Sequence, residues 1–182
     1  PLDVLRRAKV GEAVEVMPQT KQKMVCVVFN YYEQGTLVNQ KFRDSKKDFK
    51  MVPGAELIPY HIDALLDTKE AFITEGEFDA LSLMAAGYEA VISMPSGASG
   101  GTQWMDRFWD THFEHKERIY IATDMDAPGQ QAAAELAKRF GPEICYRINF
   151  SPDCKDANEE LCRHGIDSLR QRVKEATPLP LG

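Results

Sequence analysis

No Cys-x-x-Cys pair occurs in this chain. Its four cysteines, Cys26, Cys145, Cys154 and Cys162, are scattered, so neither a zinc ribbon nor a disulfide framework is encoded, and buried or incidental thiols are expected. Long hydrophobic runs are missing too. No apolar stretch approaches the roughly 20 residues of a membrane span, and the opening Pro1-Leu2-Asp3-Val4-Leu5-Arg6-Arg7 has no signal-peptide core. No membrane partner is expected, and the default location is cytoplasmic. The absence of a G-x-x-x-x-G-K-[ST] loop excludes a P-loop ATPase site from this segment. His61, His112, His115 and His164 lack the spacing of metal sites or nucleophilic triads and read as surface or packing residues. Positive charge is in deficit. Twenty-two Lys and Arg against 28 Asp and Glu give a formal charge of −6, which argues against coating nucleic acid by bulk electrostatics. The missing initiator methionine and the closing Thr177-Pro178-Leu179-Pro180-Leu181-Gly182 suggest a piece of a longer polypeptide that ends just inside a linker.

What is present is enough for a sizeable core: 182 residues, 43% of them hydrophobic, suit one full domain and a smaller appendage. Residues 23–30 and 36–43 read as a hairpin turning at Glu33-Gln34-Gly35, with further strands at 13–17 and 49–52. From Glu70 the pattern changes to strands at 71–74, 90–93, 118–123 and 144–148, separated by helical patterns at 79–86, 101–113 and 128–140. That alternation predicts an α/β fold, a parallel sheet flanked by helices and preceded by a small β-rich unit. The expected division is a basic β-rich subdomain over 1–69, the α/β domain over 70–165, and a C-terminal helix with the start of a linker over 166–182. Trp104, Phe108 and Trp109 are better read as the packed face of a helix than as base-stacking residues.

Two acidic clusters follow predicted strands: Glu75-Gly76-Glu77-Phe78-Asp79 and Asp124-Met125-Asp126. Open α/β sheets place ligands at the carboxyl ends of their strands. Carboxylates gathered there repel one another, and magnesium or manganese is the usual neutraliser of an all-oxygen set. Asp124 and Asp126 project to one side of an extended segment and can reach one cation or an adjacent pair. Asp79 is either a supporting acid or the cap of the next helix, and Asp156 either completes the acidic set or caps a helix of its own. Lys155 offers a point charge for phosphate. The helix opened by Ala127-Pro128-Gly129 presents amides that favour an anion. The loop from Met94 to Gly101 is either a phosphate cradle or a turn. Lys41, Arg43, Lys46, Lys47 and Lys50 crowd one short stretch, which is either a solvated hairpin edge or a track for a polyanion.

The order Glu75-Gly76, Asp79, then Asp124-x-Asp126 with Gly129 resembles the Toprim domain shared by primases, topoisomerases and some nucleases. Val38 to Asp44, Ser93 to Ala98 and Lys155 to Glu159 make it more similar to the primase part of phage-type primase-helicases and their Twinkle-like relatives. The resemblance implies a Toprim catalytic core that uses Mg2+ or Mn2+ for RNA primer synthesis on a single-stranded DNA template from nucleoside triphosphates. It implies Glu75, Asp124 and Asp126 as catalytic, metal-binding acids, Asp156 as a further metal ligand, and Glu77 and Asp79 as supporting acids. Lys41, Arg43, Lys50 and Lys155 would contact phosphates. Zinc-binding and helicase domains of a parent chain are implied partners. Toprim-type phosphodiester cleavage and a non-catalytic DNA-binding scaffold beside a helicase are the alternatives.

Overall fold

The computed structural model describes residues 1–180. A short helix α1 (Leu2–Arg7) leads into four strands, β1 (Val10–Val16), β2 (Lys23–Glu33), β3 (Thr36–Arg43) and β4 (Phe49–Met51). They form an antiparallel sheet in the order β1-β2-β3-β4. Gln34 and Gly35 both take positive φ, 48° and 76°, the conformation of a two-residue hairpin turn whose twist matches its strands. This is the β-rich unit foreseen from the alternating pattern.

The second sheet has the order β6-β5-β7-β8-β9, made of β5 (Glu70–Thr74), β6 (Val91–Ser93), β7 (Arg118–Ala122), β8 (Cys145–Arg147) and β9 (Thr177–Pro178). β5 runs parallel to β6 and β7, and β7 to β8, while β9 adds an antiparallel edge. Ile73, Ile92, Ile119 and Ile121 are wholly buried, as strands covered on both faces require. The covering helices are α2 (Glu77–Ala85), α3 (Ala127–Phe140), α4 (Ala157–His164) and α5 (Ile166–Lys174). Past residue 165, where a helix and a linker were expected, the chain forms α5 and then pairs Thr177 with Arg147 at the sheet edge. Leu181 and Gly182, at the end of the expected linker, lie outside the described residues. No helix among the described residues is long and apolar enough to cross a membrane.

One expected helix is replaced. Residues 101–113 form a 3-10 segment, Gln103–Phe108, followed by a π turn, Trp109–Phe113. A π turn brings i and i+5 to one side, which lets Phe108 and Phe113 both point inward and be buried. Trp109 stacks on Phe140 of α3 at 5.6 Å and Trp104 meets Phe113 edge-on at 5.8 Å. These aromatic residues pack the core.

Contacts between the two sheets' layers centre on α2. Phe29 of β2 meets Phe78 edge-on at 5.2 Å, and Tyr60 pairs its backbone with Ser93 at the end of β6. The Tyr31 hydroxyl donates to Oε1 of Glu77, and Lys41 Nζ lies 3.0 Å from the same oxygen.

Candidate metal centre

Glu75 and Asp124 follow the ends of β5 and β7, whereas Asp79 and Asp156 sit at the starts of α2 and α4. The β5 segment ends at Thr74, whose hydroxyl donates to the carbonyls of Ile92 and Gly76 at 3.0 and 3.1 Å. This fixes the turn carrying Glu75. Glu75 Oε1 accepts the Asp124 amide at 2.9 Å. Asp79 is buried on the first turn of α2, but Gly76 rather than Asp79 is the N-cap. Its Oδ1 accepts instead from the Asn158 amide at 3.0 Å, joining α2 to α4. Asp126 caps α3 through the Gly129 amide at 2.9 Å, and Asp156 caps α4 through the Glu159 amide at 2.8 Å. The Met125 amide donates to the Lys155 carbonyl at 2.8 Å, so the loops after β7 and β8 are held together.

The result is a triad. Asp79, Asp124 and Asp156 each offer a carboxylate oxygen, and the three atoms lie within 4.8 Å of one another. Asp126 is exposed and lies outside the triad, so the i, i+2 pair foreseen at this strand end delivers Asp124 alone to it. Glu75 adjoins it through the Asp124 backbone. Glu77 turns away to Tyr31 and Lys41 and ties the two layers together.

Burial raises the Asp124 carboxyl above its ordinary range, Lys155 opposes the shift, and Asp156 and Asp126 add to it. Asp79 is pushed well up by burial and then by Asp156. Glu75 is raised by burial, an effect the Asp124 amide opposes. Converging buried carboxylates with elevated pKa values are the condition a divalent cation relieves. The donor set is all hard oxygen, and it fits Mg2+ or Mn2+.

These acids form the floor of a cleft of about 660 Å³ between the two layers. Val25, Val27 and Arg43 of the antiparallel sheet form one wall, with Lys47 and Lys155 also lining it. Lys155 Nζ sits 3.5 Å from Asp124 Oδ2 and 3.7 Å from Asp156 Oδ2. The Arg43 guanidinium lies over the Phe78 ring at 5.4 Å. Lys41 is committed to Glu77, and Lys50 to Glu15 at 2.8 Å and the Val16 carbonyl at 3.1 Å. In the loop from Met94 to Gly101, Gly97–Gly100 forms a 3-10 turn whose Gly97 reaches the cleft.

One residue of the site escapes sequence reasoning, and a second, Gly129, has a role there that the motif alone does not show. Arg147 on β8 is buried, and its guanidinium donates to the carbonyls of Ile121 at 3.2 Å and Asp124 at 2.9 Å. Its Nε has no partner among the described residues. Burial lowers its pKa to about 10, against the pull of Glu75 and Asp124. The available signal was a charge inside the otherwise apolar run Ile144 to Ile148. Gly129 is the second. A Cβ there would stand 2.0 Å from the Asp124 carbonyl oxygen and 2.8 Å from Glu75 Oε1, so only glycine lets α3 start this close to both acids.

An open parallel sheet with carboxylates converging at its carboxyl edge, entered from an antiparallel β unit, is the architecture of the Toprim-containing primase core. Residues 72–161 match the Toprim-like family. The chain is 33% identical to the primase homolog protein of Arabidopsis thaliana over 96% of its own length and 58% of that protein. It is 32% identical to the Twinkle homolog protein, chloroplastic/mitochondrial, of the same plant, over 95% of this chain and 27% of that one. The primase fragment of the bacteriophage T7 primase-helicase superposes with a TM-score of 0.80 at 26% identity, covering 94% of this chain and 70% of that fragment. The chain thus spans less than two thirds of these two plant relatives. Residues 72–161 form a Toprim-like domain, and the chain is similar to plant and phage primase and primase-helicase proteins.

Proposed function

We propose that this segment is the catalytic core of a DNA primase that makes RNA primers on single-stranded DNA, using Mg2+ or Mn2+. The observation that carries this reading is the convergence of Asp79, Asp124 and Asp156 within 4.8 Å at the floor of the cleft. Similarity to primase and primase-helicase proteins supports primer synthesis as the reaction. In this reading the segment divides into a β-rich subdomain (1–69), the Toprim domain (70–165) and a C-terminal part (166–182), and zinc-binding and helicase domains belong to a parent chain.

Asp79, Asp124 and Asp156 hold the cation, with Asp126 at the rim. When bound, it supplies charge neutralisation for a triphosphate and for the oxygen that attacks it. Glu75 holds the Asp124 backbone and is the carboxylate next to the triad, placed to accept a proton from the primer 3′-hydroxyl. Lys155 and Arg43 receive phosphates of nucleotide or template, since both line the cleft. Lys41 and Lys50 are not among the residues lining the cleft and would reach a phosphate only by leaving their carboxylate partners.

The test uses the full-length parent with single-stranded DNA, nucleoside triphosphates and Mg2+. Short RNA products that vanish in Asp124→Asn support the proposal. Incision of the DNA instead identifies a Toprim nuclease. Binding of Mn2+, followed by electron paramagnetic resonance, should weaken more than about tenfold in Asp79→Asn and Asp156→Asn. Unchanged binding in both removes the triad from the site.

A further inference from the structure

The loop leading to Asp156 carries a second group of donor atoms. Asp153 and Cys154 lie on it, and His164 ends α4. His164 Nε2 is 2.9 and 3.0 Å from the two oxygens of Asp153, and Cys154 Sγ is 3.7 Å from Asp153 Oδ1. One donor atom from each of the three lies within 4.8 Å of the others. Tetrahedral ligands at zinc distances, about 2.0 Å for imidazole or carboxylate and about 2.3 Å for thiolate, stand roughly 3.3–3.6 Å apart. The Asp153–His164 and Asp153–Cys154 spacings differ from this by only a few tenths of an ångström, and the Cys154–His164 pair lies within 4.8 Å. Cys-x9-His spacing matches no common zinc motif, which is why the sequence reads these residues as incidental.

The donors also differ in kind from the carboxylate triad. Imidazole, thiol and carboxylate together suit a borderline-soft cation rather than Mg2+. The loop is braced in place. The Cys154 amide donates to the Ser151 carbonyl at 2.8 Å, and the Ser151 amide and hydroxyl both donate to buried Glu160 at 2.8 Å. Asp153 and His164 are exposed whereas Cys154 is buried, so an ion enters from solvent and meets the sulfur on its inner side. Arg163 approaches the other Asp153 oxygen, Oδ2, at 3.9 Å, leaving Oδ1 facing thiol and imidazole.

We propose that Asp153, Cys154 and His164 form a site for Zn2+ or a cation of the same class, with a fourth position open to water. Such an ion cross-links the loop that presents Lys155 and Asp156 to the end of α4. The probe is Co2+ added to the metal-free chain in excess Mg2+, because a cobalt–thiolate bond gives a charge-transfer band in the near ultraviolet that oxygen ligands do not. The expected result is that band at one equivalent of Co2+, its displacement by Zn2+, its loss in Cys154→Ser and its persistence in Cys162→Ser. Asp153→Asn and His164→Gln, both at exposed positions, should weaken Co2+ binding about tenfold or more. No band in the parent chain, a band that survives Cys154→Ser, or one lost in Cys162→Ser overturns the proposal. Should Cys154→Ser fail to fold, unchanged affinity in both exposed variants overturns it equally.

Discussion

The amide of Asp124 donates to Oε1 of Glu75 at 2.9 Å, so the carboxylate ending one parallel strand holds the acidic turn that ends its neighbour. Glu75 therefore shapes the site as well as charging it. Replacing it with alanine leaves a half-buried amide unpaired and should cost about 1–3 kcal/mol in urea denaturation. Glu75→Gln retains an acceptor and should cost less than about 1 kcal/mol. In the full-length parent, Glu75→Gln should still lower primer synthesis, by about tenfold or more. Synthesis at the parental rate would show that the charge of Glu75 has no part in the chemistry.

Gly129 is limited by the same pair of acids. A methyl group there collides with the Asp124 backbone, which cannot step aside without moving the strand end. Gly129→Ala should destabilise the chain by about 3 kcal/mol or more and weaken Mn2+ binding at the triad. A variant of parental stability would mean that α3 and its cap at Asp126 can shift freely.

Arg147 supports the triad from below by holding the Ile121 and Asp124 carbonyls. Arg147→Met strands the Asp124 carbonyl, since the Ile121 carbonyl keeps the Ile148 amide at 3.0 Å, and removes a buried cation from beside two carboxylates, at a cost of about 2–4 kcal/mol. Arg147→Lys keeps the charge but not the forked geometry and should fall between the two. The readouts are the urea midpoint and Mn2+ affinity. If Arg147→Met changes neither, the guanidinium is only filling space.

Burial lowers the pKa of His61 and His112 below the ordinary 6.5. The unfolded chain then takes up protons first as pH falls. The stability tied to the neutral imidazoles is complete above 6.5 and is lost as pH drops through the folded values. The urea midpoint should decline on acidification below pH 6.5, and the combined His61→Gln and His112→Gln variant should flatten that decline. An unaltered slope in the double variant would assign it to other groups.

Much of the architecture was legible because it rests on local periodicity. Apolar strands at 71–74 and 118–123, the Ala-rich helix closing at Gly141 and the turn at Gln34-Gly35 all show their structure within a few neighbouring residues. The stretch from Gly101 to Phe113 was less legible. Its aromatic spacing permits a helix, and only the need to seat Phe108, Phe113 and Phe140 in one core selects 3-10 and π turns.

By itself, the sequence determined that acids would stand at the carboxyl ends of parallel strands, since strand periodicity and the placement of Glu75, Asp124 and Asp156 are properties of the chain order. Tertiary structure alone decided which acids meet. Asp79 joins the triad because α2 packs on α4, Glu77 leaves it because Tyr31 and Lys41 lie across the layer boundary, and Arg147 enters from beneath. Carboxylate position along a chain sets what can reach a strand end, while packing between distant segments sets the few ångströms that make some of those groups a site.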